Sequence, residues 1–186
     1  MRVALTGTPG TGKSAVAKVL EHHRYRIVRL FDLAKQEGYV DGIDKKRNTK
    51  LVDIPKLNRY ITRTFVSNNL VFFEGHIAHH LKAMDKIIIL RCHPTVLKRR
   101  LESKLWALKK IQENIEAEAL DVILCEAVEW HSKKNIFEID TTKKTIDEVA
   151  KSIIALAKRN FQPTKTYSIG QIDWSEELLH ISPSKE

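Results

Sequence analysis

The chain has 186 residues, a hydrophobic fraction of 42%, a charged fraction of 30% and a formal net charge of +9. A chain of this length can bury one self-sufficient core, whereas two full domains would be cramped. The sequence holds no run of about 18 apolar residues and no signal-peptide pattern, which argues against a membrane protein, and its positive charge indicates polyanionic partners such as nucleotides or RNA.

Two cysteines, Cys92 and Cys125, lie far apart and outside any CxxC pattern. This spacing argues against a disulfide framework and against a zinc site built on thiols. We interpret both as reduced and mostly buried thiols, which suits a cytoplasmic protein.

Strands and helices are predicted to alternate along the chain. Strands are predicted over residues 2–6, 26–30, 70–74, 86–91 and 135–140. Helices are predicted over residues 13–22, 31–37, 54–68, 94–104, 108–130 and 145–159, and residues 39–53 are expected to form a loop. Because the strands are continuously apolar, they should be covered on both faces. The pattern therefore predicts an α/β fold with a doubly wound, five-stranded parallel sheet.

The segment GTPGTGKS at residues 7–14 matches the P-loop pattern GxxxxGK[ST] without deviation. It lies directly after a predicted strand and directly before a predicted helix, as the motif requires. Its glycines let successive backbone N–H groups point at one centre, where the helix N-terminus adds positive potential. We therefore predict an ATP site with Lys13 at the β- and γ-phosphates and the Ser14 hydroxyl on Mg²⁺. Further ATP contacts are assigned to Gly10, Thr11, Gly12 and Ala15.

A carboxylate at the end of a neighbouring strand usually orders the Mg²⁺ shell of a P-loop enzyme. Glu74 ends the apolar strand 70–73 and is the first candidate. Asp32 and Asp140 also end predicted strands, so both remain alternatives.

His76 follows Glu74 by two residues, with a glycine between them. Two roles are open for His76. In the first it positions a water or the acceptor phosphate, and in the second it is only structural. His79 and His80 form a small cluster with it, but a metal site built from these three histidines would lack a fourth ligand.

These residues resemble the adenylate-kinase-like family of archaea and of the eukaryotic nucleus, and the resemblance covers nearly the whole chain. The P-loop is similar to the family's TGTPGxGKT, proline included, and EGH at residues 74–76 falls where the family has Asp-Tyr-His. DLAK at 32–35 with YVDGID at 39–44 resembles the family's DLAREE…YDGYDEE. Arg91 matches the end of the family's VLR. The segments RLESK at 100–104 and KKIQENI at 109–115 resemble the family's RLExRGY…KKLxxNI, and IDW at 172–174 is similar to the tails of archaeal members.

The resemblance implies a P-loop nucleotide kinase core over residues 1–160 and a C-terminal tail over 161–186. Within the core it implies a monophosphate-binding lobe over about 30–53 and a lid over about 103–113. The implied ATP contacts include Lys104 and, at the adenine, Lys143. The implied AMP contacts are Asp32, Lys35, Asp44 and His76. The implied catalytic residues are Lys13, His76 and Glu74, with Mg²⁺ held by Ser14 and Glu74, partly through water.

The resemblance also implies a function: adenylate-kinase-type phosphoryl transfer between ATP and AMP, with accompanying ATPase activity. It implies a link to small-ribosomal-subunit maturation through a ribosomal protein of the uS11 type and rRNA. Two alternatives stay open, an ATP-driven assembly factor with little kinase activity and a small P-loop kinase for another acceptor. The basic surface and the tail favour a partner, unless the tail simply packs on the core.

Two positions depart from the family pattern. Lys104-Leu105 stands where the family usually carries arginine and glycine at the start of the lid, and Lys35 replaces a common arginine in the monophosphate lobe. Arginine grips phosphate oxygens bidentately, whereas lysine acts as a point charge. We therefore expect weaker lid closure and slower kinase turnover unless Arg99 or Arg100 substitutes, and no effect on ATP binding.

Overall fold

The computed structural model describes residues 1–44, 49–66, 69–162 and 164–180, with side chains for all of these except 43, 44, 49, 50 and 178–180. The strands are β1 (Arg2–Gly7), β2 (Arg26–Arg29), β3 (Val40–Asp44), β4 (Thr49–Val52), β5 (Val71–Glu74), β6 (Lys86–Arg91) and β7 (Ile136–Asp140). The α-helices are α1 (Lys13–His22), α2 (Leu30–Gln36), α3 (Ile54–Thr64), α4 (Pro94–Glu102), α5 (Leu108–Ala119), α6 (Val122–Trp130) and α7 (Ile146–Lys158). Five parallel strands form the main sheet in the order β2-β5-β1-β6-β7. The predicted doubly wound α/β fold is therefore confirmed.

Both faces of the sheet are covered, which explains the continuously apolar strands. Val3 and Leu5 of β1 pack in one layer with residues of α1 and α7, whereas Ala4 between them packs in the opposite layer. That second layer is closed by apolar residues of α2, α3 and α6. Because successive strand residues face opposite sides, the central strands β1, β5 and β6 contribute apolar residues to both layers.

A third, smaller core joins the sheet to the helices above its carboxyl edge. Leu97 and Leu101 of α4 pack against Ile111 and Ile115 of α5, with Cys92 at the base. Of the two thiols, Cys92 is buried and Cys125 is exposed, so the expectation of burial fails for Cys125. Helices α4 and α5 thus form one packed unit over the carboxyl ends of the strands, where parallel α/β folds bind ligands.

The prediction of a loop over residues 39–53 was wrong. Strands β3 and β4 form an antiparallel pair that is separate from the main sheet, with a register shift between Val40 and Gly42. The pair is closed at its base, where Asp53 N–H donates to the Tyr39 carbonyl at 2.9 Å. Its polar composition hid the strands, because a strand pair that is not covered on both faces needs no continuous apolar run, and of its described side chains Val40 and Val52 pack against the core. Residues 45–48 lie outside the described part of the chain.

The helix predicted over 108–130 is two helices. Asp121 adopts the left-handed conformation, with φ of 54°, between α5 and α6. Aspartate tolerates this conformation better than most residues, and its carboxylate pairs here with the Arg91 guanidinium. The helix predicted over 54–68 ends at Thr64, and residues 67 and 68 lie outside the described part of the chain.

The tail packs against the core where it is described. Phe161 is buried in the first core layer, Tyr167 packs against the same layer and Ile169 against the opposite one. Gly170 N–H donates to the Glu138 carboxylate at 2.9 Å. Residues 163 and 181–186 of the predicted tail are outside the described part. Among the described residues, no helix combines the length and apolar character that crossing a membrane would require.

Candidate active site

The P-loop connects the carboxyl end of β1 to α1 and contains glycines in conformations that other residues rarely adopt. Gly7, Gly10 and Gly12 have φ of 142°, 97° and 104°. A Cβ atom on Gly7 would stand 2.4 Å from the Leu90 carbonyl oxygen, and one on Gly10 would stand 2.7 Å from Leu97. The loop therefore depends on glycine for both backbone conformation and space. Helix α1 begins at Lys13, so its N-terminus adds to the anion-binding potential of the loop.

Lys13 is folded back onto the P-loop. Its Nζ donates to the Gly7 carbonyl at 2.7 Å and to the Thr8 carbonyl at 3.1 Å. Burial lowers the pKa of Lys13 to about 8, against the opposing influence of Glu74 and Glu118, and Lys104 lowers it further. The ammonium is thus still protonated at pH 7, and a phosphate in the loop would offer it a better partner than neutral carbonyls.

Thr11 and Ala15 complete the predicted ATP contacts of the loop. Thr11 is buried, and both its N–H and its hydroxyl donate to the Thr8 carbonyl, at 3.2 Å and 2.9 Å. Ala15 is exposed in the first turn of α1. Thr11 therefore stabilises the conformation of the loop, and Ala15 leaves the N-terminus of α1 accessible to solvent.

Glu74 is the acid that the fold brings to the P-loop. Its position at the end of β5 pairs in register with Leu5 of β1, and Ser14 Oγ donates to Glu74 Oε1 at 3.0 Å. The two alternatives lie elsewhere: Asp32 is exposed in α2, and Asp140 accepts from the N–H of Thr142 at 2.8 Å. A hydroxyl beside a carboxylate is an all-oxygen donor set, which suits Mg²⁺.

His76 stands beside the phosphate loop and beside the lid. Loss of surrounding water lowers the pKa of its imidazole, and the charges of Lys13, His80 and Lys110 lower it further. The side chain is nevertheless solvent-accessible, so a ligand can reach it. Its backbone is fixed, because the Thr6 hydroxyl donates to the His76 carbonyl at 3.2 Å. A neutral imidazole held next to a buried ammonium is suited to accept a hydrogen bond from water.

The predicted monophosphate residues occupy the neighbouring strand–helix connection. Asp32 and Lys35 are both exposed on α2, which follows β2 directly, and the side chain of Asp44 at the end of β3 is outside the described part. The prediction missed Arg29, which pairs in register with Glu74. The Arg29 guanidinium donates two hydrogen bonds to the Glu21 carboxylate, at 2.8 Å and 2.7 Å, and this bidentate pair raises the pKa of Arg29. Arg29 therefore supplies a fixed positive charge at the end of β2, in register with Glu74.

A buried ion-pair network supports the P-loop from below, and the sequence did not reveal it. Arg91 at the end of β6 contacts three acids, with Nε–Oε1 of Glu118 at 2.8 Å and closer contacts to Glu138 and Asp121. Burial alone would lower the pKa of Arg91, but the acids together raise it. Glu118 also accepts from the Thr8 hydroxyl, so the network joins the P-loop to helix α5.

The predicted lid comprises the turn after α4 and the first part of α5. Lys104 is exposed there, and its charge acts on Lys13, so the structure brings the two lysines near each other. Arg100 is engaged elsewhere, since it donates to the hydroxyl and the carbonyl of Thr141 at 3.1 Å and 2.8 Å. Arg99 is exposed on the same helix. Within the predicted lid segment, the charge of Lys104 therefore acts on Lys13 of the phosphate loop.

Leu105 is the strained residue of this turn. It has φ of 56° and is 93% exposed, and Trp106 N–H closes the end of α4 on the Leu101 carbonyl at 3.5 Å. Glycine is the usual residue at such a helix end. The substitution Leu105→Gly should therefore raise the free energy of unfolding by about 0.5–1 kcal/mol, because relief of the left-handed conformation exceeds the entropy cost of glycine. Leu105→Ala is the control, because alanine keeps the strained left-handed conformation. If urea unfolding shows the same gain in stability for Leu105→Ala as for Leu105→Gly, this assignment is contradicted.

Lys143 lies at a cavity of about 340 Å³ after β7, lined by His93, Asp140, Thr142, Lys143, Lys144 and Trp174. The tail supplies one wall: the rings of Trp174 and His93 meet edge to face, with centroids 4.8 Å apart. Trp174 Nε1 is buried and has no hydrogen-bond partner among the described residues. Trp174 could have been suspected from sequence only through its place in the IDW segment.

Comparison with known proteins gives a family and a fold. Residues 3–121 match the family model described as an AAA domain. A protein of Archaeoglobus fulgidus named "Putative adenylate kinase" is 40% identical over 178 residues, which cover 96% of this chain and 94% of that protein. A protein of the same name from Methanosarcina barkeri is 39% identical over 181 residues, covering 94% and 97%.

Solved structures of similar fold include shikimate kinases. The enzyme of Acinetobacter baumannii in complex with shikimate has a TM-score of 0.59 and 16% identity, covering 86% of this chain and 93% of that one. The enzyme of Bacteroides thetaiotaomicron has a TM-score of 0.57 and 15% identity, covering 85% and 98%. At such identities the likeness concerns the fold alone, and that fold is the P-loop kinase fold.

Proposed function

Because the chain belongs to the adenylate-kinase-like family, we propose that it transfers the γ-phosphoryl group of ATP to AMP. The observation that carries the proposal is the convergence of Lys13, Ser14 and Glu74 at the P-loop. In the proposal, residues 30–53 form a monophosphate lobe and residues 103–113 form a basic lid. Mg²⁺, held by Ser14 and Glu74, would neutralise charge on the transferring group.

In this proposal the residues of the chain bind and align the two nucleotides. The amides of residues 10–15 hold the ATP phosphates, and Lys13 exchanges its carbonyl partners for phosphate oxygens. AMP enters beside α2, where Asp32 and Lys35 are exposed and Arg29 is charged. Lys104 and Lys110 bring positive charge from the lid. Closure of the lid excludes water, so that AMP competes successfully with hydrolysis.

His76 serves the acceptor side of the reaction, as a residue that orients the AMP phosphate or a water. His76→Ala is expected to lower kcat by about 10²- to 10⁴-fold and to leave the Kd for ATP near its wild-type value. Since the pKa of His76 lies below the ordinary 6.5, the acid limb of the kcat profile should fall below pH 6.5. Lys110→Gln removes a positive charge and should move this limb to higher pH, whereas the neighbouring Lys109→Gln should not. A large loss of ATP affinity in His76→Ala would make His76 a binding residue instead.

A second candidate is ATP hydrolysis coupled to a partner of the small ribosomal subunit, such as a uS11-type protein or rRNA. The net charge of +9 and the exposed lid leucines, Leu105 at 93% and Leu108 at 78%, favour a partner surface. Packing of the described tail onto the core removes the tail as an argument for this reading.

The two candidates are separated by an acceptor panel. The protein is incubated with ATP·Mg²⁺ alone, with each nucleoside monophosphate and with a small-subunit protein or rRNA, and diphosphates and free phosphate are quantified. Formation of two ADP for each ATP consumed, with AMP as the only added acceptor, supports the kinase. Phosphate release that requires the ribosomal component supports the second candidate, and diphosphate formation with a different monophosphate reassigns the acceptor.

A further inference from the structure

Nitrogen and oxygen donors converge beside the His76 loop, and the proposed phosphoryl transfer does not use them. His79 and His80 lie on a 3₁₀ turn, Ala78–His80, and Glu126 lies on α6. Their donor atoms all lie within 4.8 Å of one another. Glu126 Oε2 is 2.8 Å from His79 Nε2 and 3.7 Å from His80 Nε2, so both imidazoles point at one carboxylate oxygen.

We propose that His79, His80 and Glu126 bind one divalent transition-metal ion of the zinc type, with water in the fourth position. Two imidazoles and one carboxylate are a known ligand set for zinc sites that keep an open position. With metal–nitrogen distances of about 2.0–2.1 Å, tetrahedral ligands lie roughly 3.3 Å apart. The 2.8 Å contact must therefore lengthen by about half an ångström. His80 and Glu126 are 33% and 39% exposed, so they can rotate to meet the ion.

The more buried ligand has the support that metal-binding histidines usually have. His79 Nδ1 is 3.1 Å from Thr6 Oγ1, and the His79 carbonyl accepts from His131 Nε2 at 2.8 Å. When the Thr6 hydroxyl donates to the His76 carbonyl, it can only accept from the Nδ1–H of His79. The lone pair of Nε2 then faces the Glu126 carboxylate without a proton between them, and a cation resolves this repulsion.

The charge state of the cluster also suits a metal ion. Burial lowers the pKa of His79 to about 4, against the influence of Glu126, so the imidazole is neutral at pH 7. A neutral imidazole binds a metal without first releasing a proton. Two cations, Arg59 and Lys82, line the same cavity as His80, and Lys82 Nζ lies over the Trp130 ring, 4.2 Å from the ring centroid.

An ion has a path to this site from the surface. A cavity of about 580 Å³ is lined by His80, Lys82 and Trp130 together with residues of α3. Once bound, the ion would tie the 3₁₀ turn to α6. Because His79 shares Thr6 with the His76 carbonyl, the ion would also stabilise the loop that carries His76.

The test uses the full chain, freed of metal and kept in excess Mg²⁺ so that Ser14 and Glu74 are saturated. Co²⁺ is titrated first, because a tetrahedral site gives strong visible absorption, and Zn²⁺ is then titrated by calorimetry. We expect one ion per chain, tetrahedral Co²⁺ bands and a rise in Tm with Zn²⁺. His80→Asn and Glu126→Gln should each weaken the Kd by at least about tenfold and abolish the bands.

Two controls separate this site from other ligands of the same ions. His23→Asn removes an exposed histidine at the C-terminal end of α1, and Cys125→Ser removes an exposed thiol next to Glu126. Both should bind Zn²⁺ as the wild type does. Three results would each overturn the proposal. The first is that no ion binds stoichiometrically, the second is that His80→Asn binds Zn²⁺ as tightly as the wild type (an adventitious ion only), and the third is that only Cys125→Ser loses Zn²⁺ binding. Circular dichroism of His80→Asn, whose side chain is partly exposed, excludes unfolding as the cause of lost binding.

Discussion

Replacing Lys13 with alanine is expected to lower the rate of ADP formation by about 10²- to 10³-fold, the loss typical of removing one preorganised electrostatic contact. The ammonium is buried at the phosphate loop beside the carbonyls of Gly7 and Thr8, and alanine has no charged group to stabilise the transferring phosphoryl group in the proposed reaction. The change is measured with ATP and AMP at saturating concentrations, alongside the Kd for ATP·Mg²⁺.

The matched control is Lys18→Ala. Lys18 lies on the same helix, about one and a half turns further on, and is exposed. It should keep the wild-type rate, because its charge does not face the P-loop. A Lys13→Ala protein that is folded and turns over normally would contradict the assignment of the P-loop as the phosphate site.

Replacing Arg91 with methionine is expected to lower the free energy of unfolding by about 3–5 kcal/mol, because the change leaves buried carboxylates without a counter-charge. Glu118 and Glu138 are each about 98% buried and contact the guanidinium directly. Burial raises the pKa of Glu138, while Arg91 opposes the rise. Without Arg91 that pKa should rise further, so protonation stabilises the variant and its stability loss should shrink as the pH falls from 7 to 5.

Urea unfolding at both pH values measures this effect. Neutralising the two acids in the same protein, with Arg91→Met, Glu118→Gln and Glu138→Gln combined, should recover part of the loss. Arg2→Met is the surface control: its pair with Asp85 is 3.2 Å long and partly exposed, so the cost should stay below about 1 kcal/mol. A cost for Arg91→Met no larger than this control, or one that grows toward pH 5, would contradict the role of the network.

The sequence predicts the central sheet because its strands carry their own signal. β6 is apolar at four successive positions, Ile87, Ile88, Ile89 and Leu90, and only a strand covered on both faces tolerates such a run. The P-loop is predictable for a similar reason, since its glycines serve a local geometric need. Once β1 and β5 are known to be parallel neighbours, Glu74 must reach the same edge of the sheet as Ser14.

Other features depend on contacts that no local pattern reveals. The break at Asp121 follows from its ion pair with Arg91, which is distant in sequence. The strands β3 and β4 pair with each other and not with the main sheet, and their largely polar sequences lack the apolar alternation that marks a strand. The position of Trp174 beside His93 depends on the packing of the tail on the core, which only the assembled structure defines.

Transfer of a labelled γ-phosphoryl group from ATP to AMP, followed by separation of the nucleotides, tests the proposed reaction most directly. If the P-loop and the monophosphate lobe work as proposed, the label appears in the β-position of new ADP, at a rate that depends on both nucleotides and is lost in Lys13→Ala. Label that stays in ATP, or that leaves only as inorganic phosphate in the presence of saturating AMP, would contradict phosphoryl transfer to AMP.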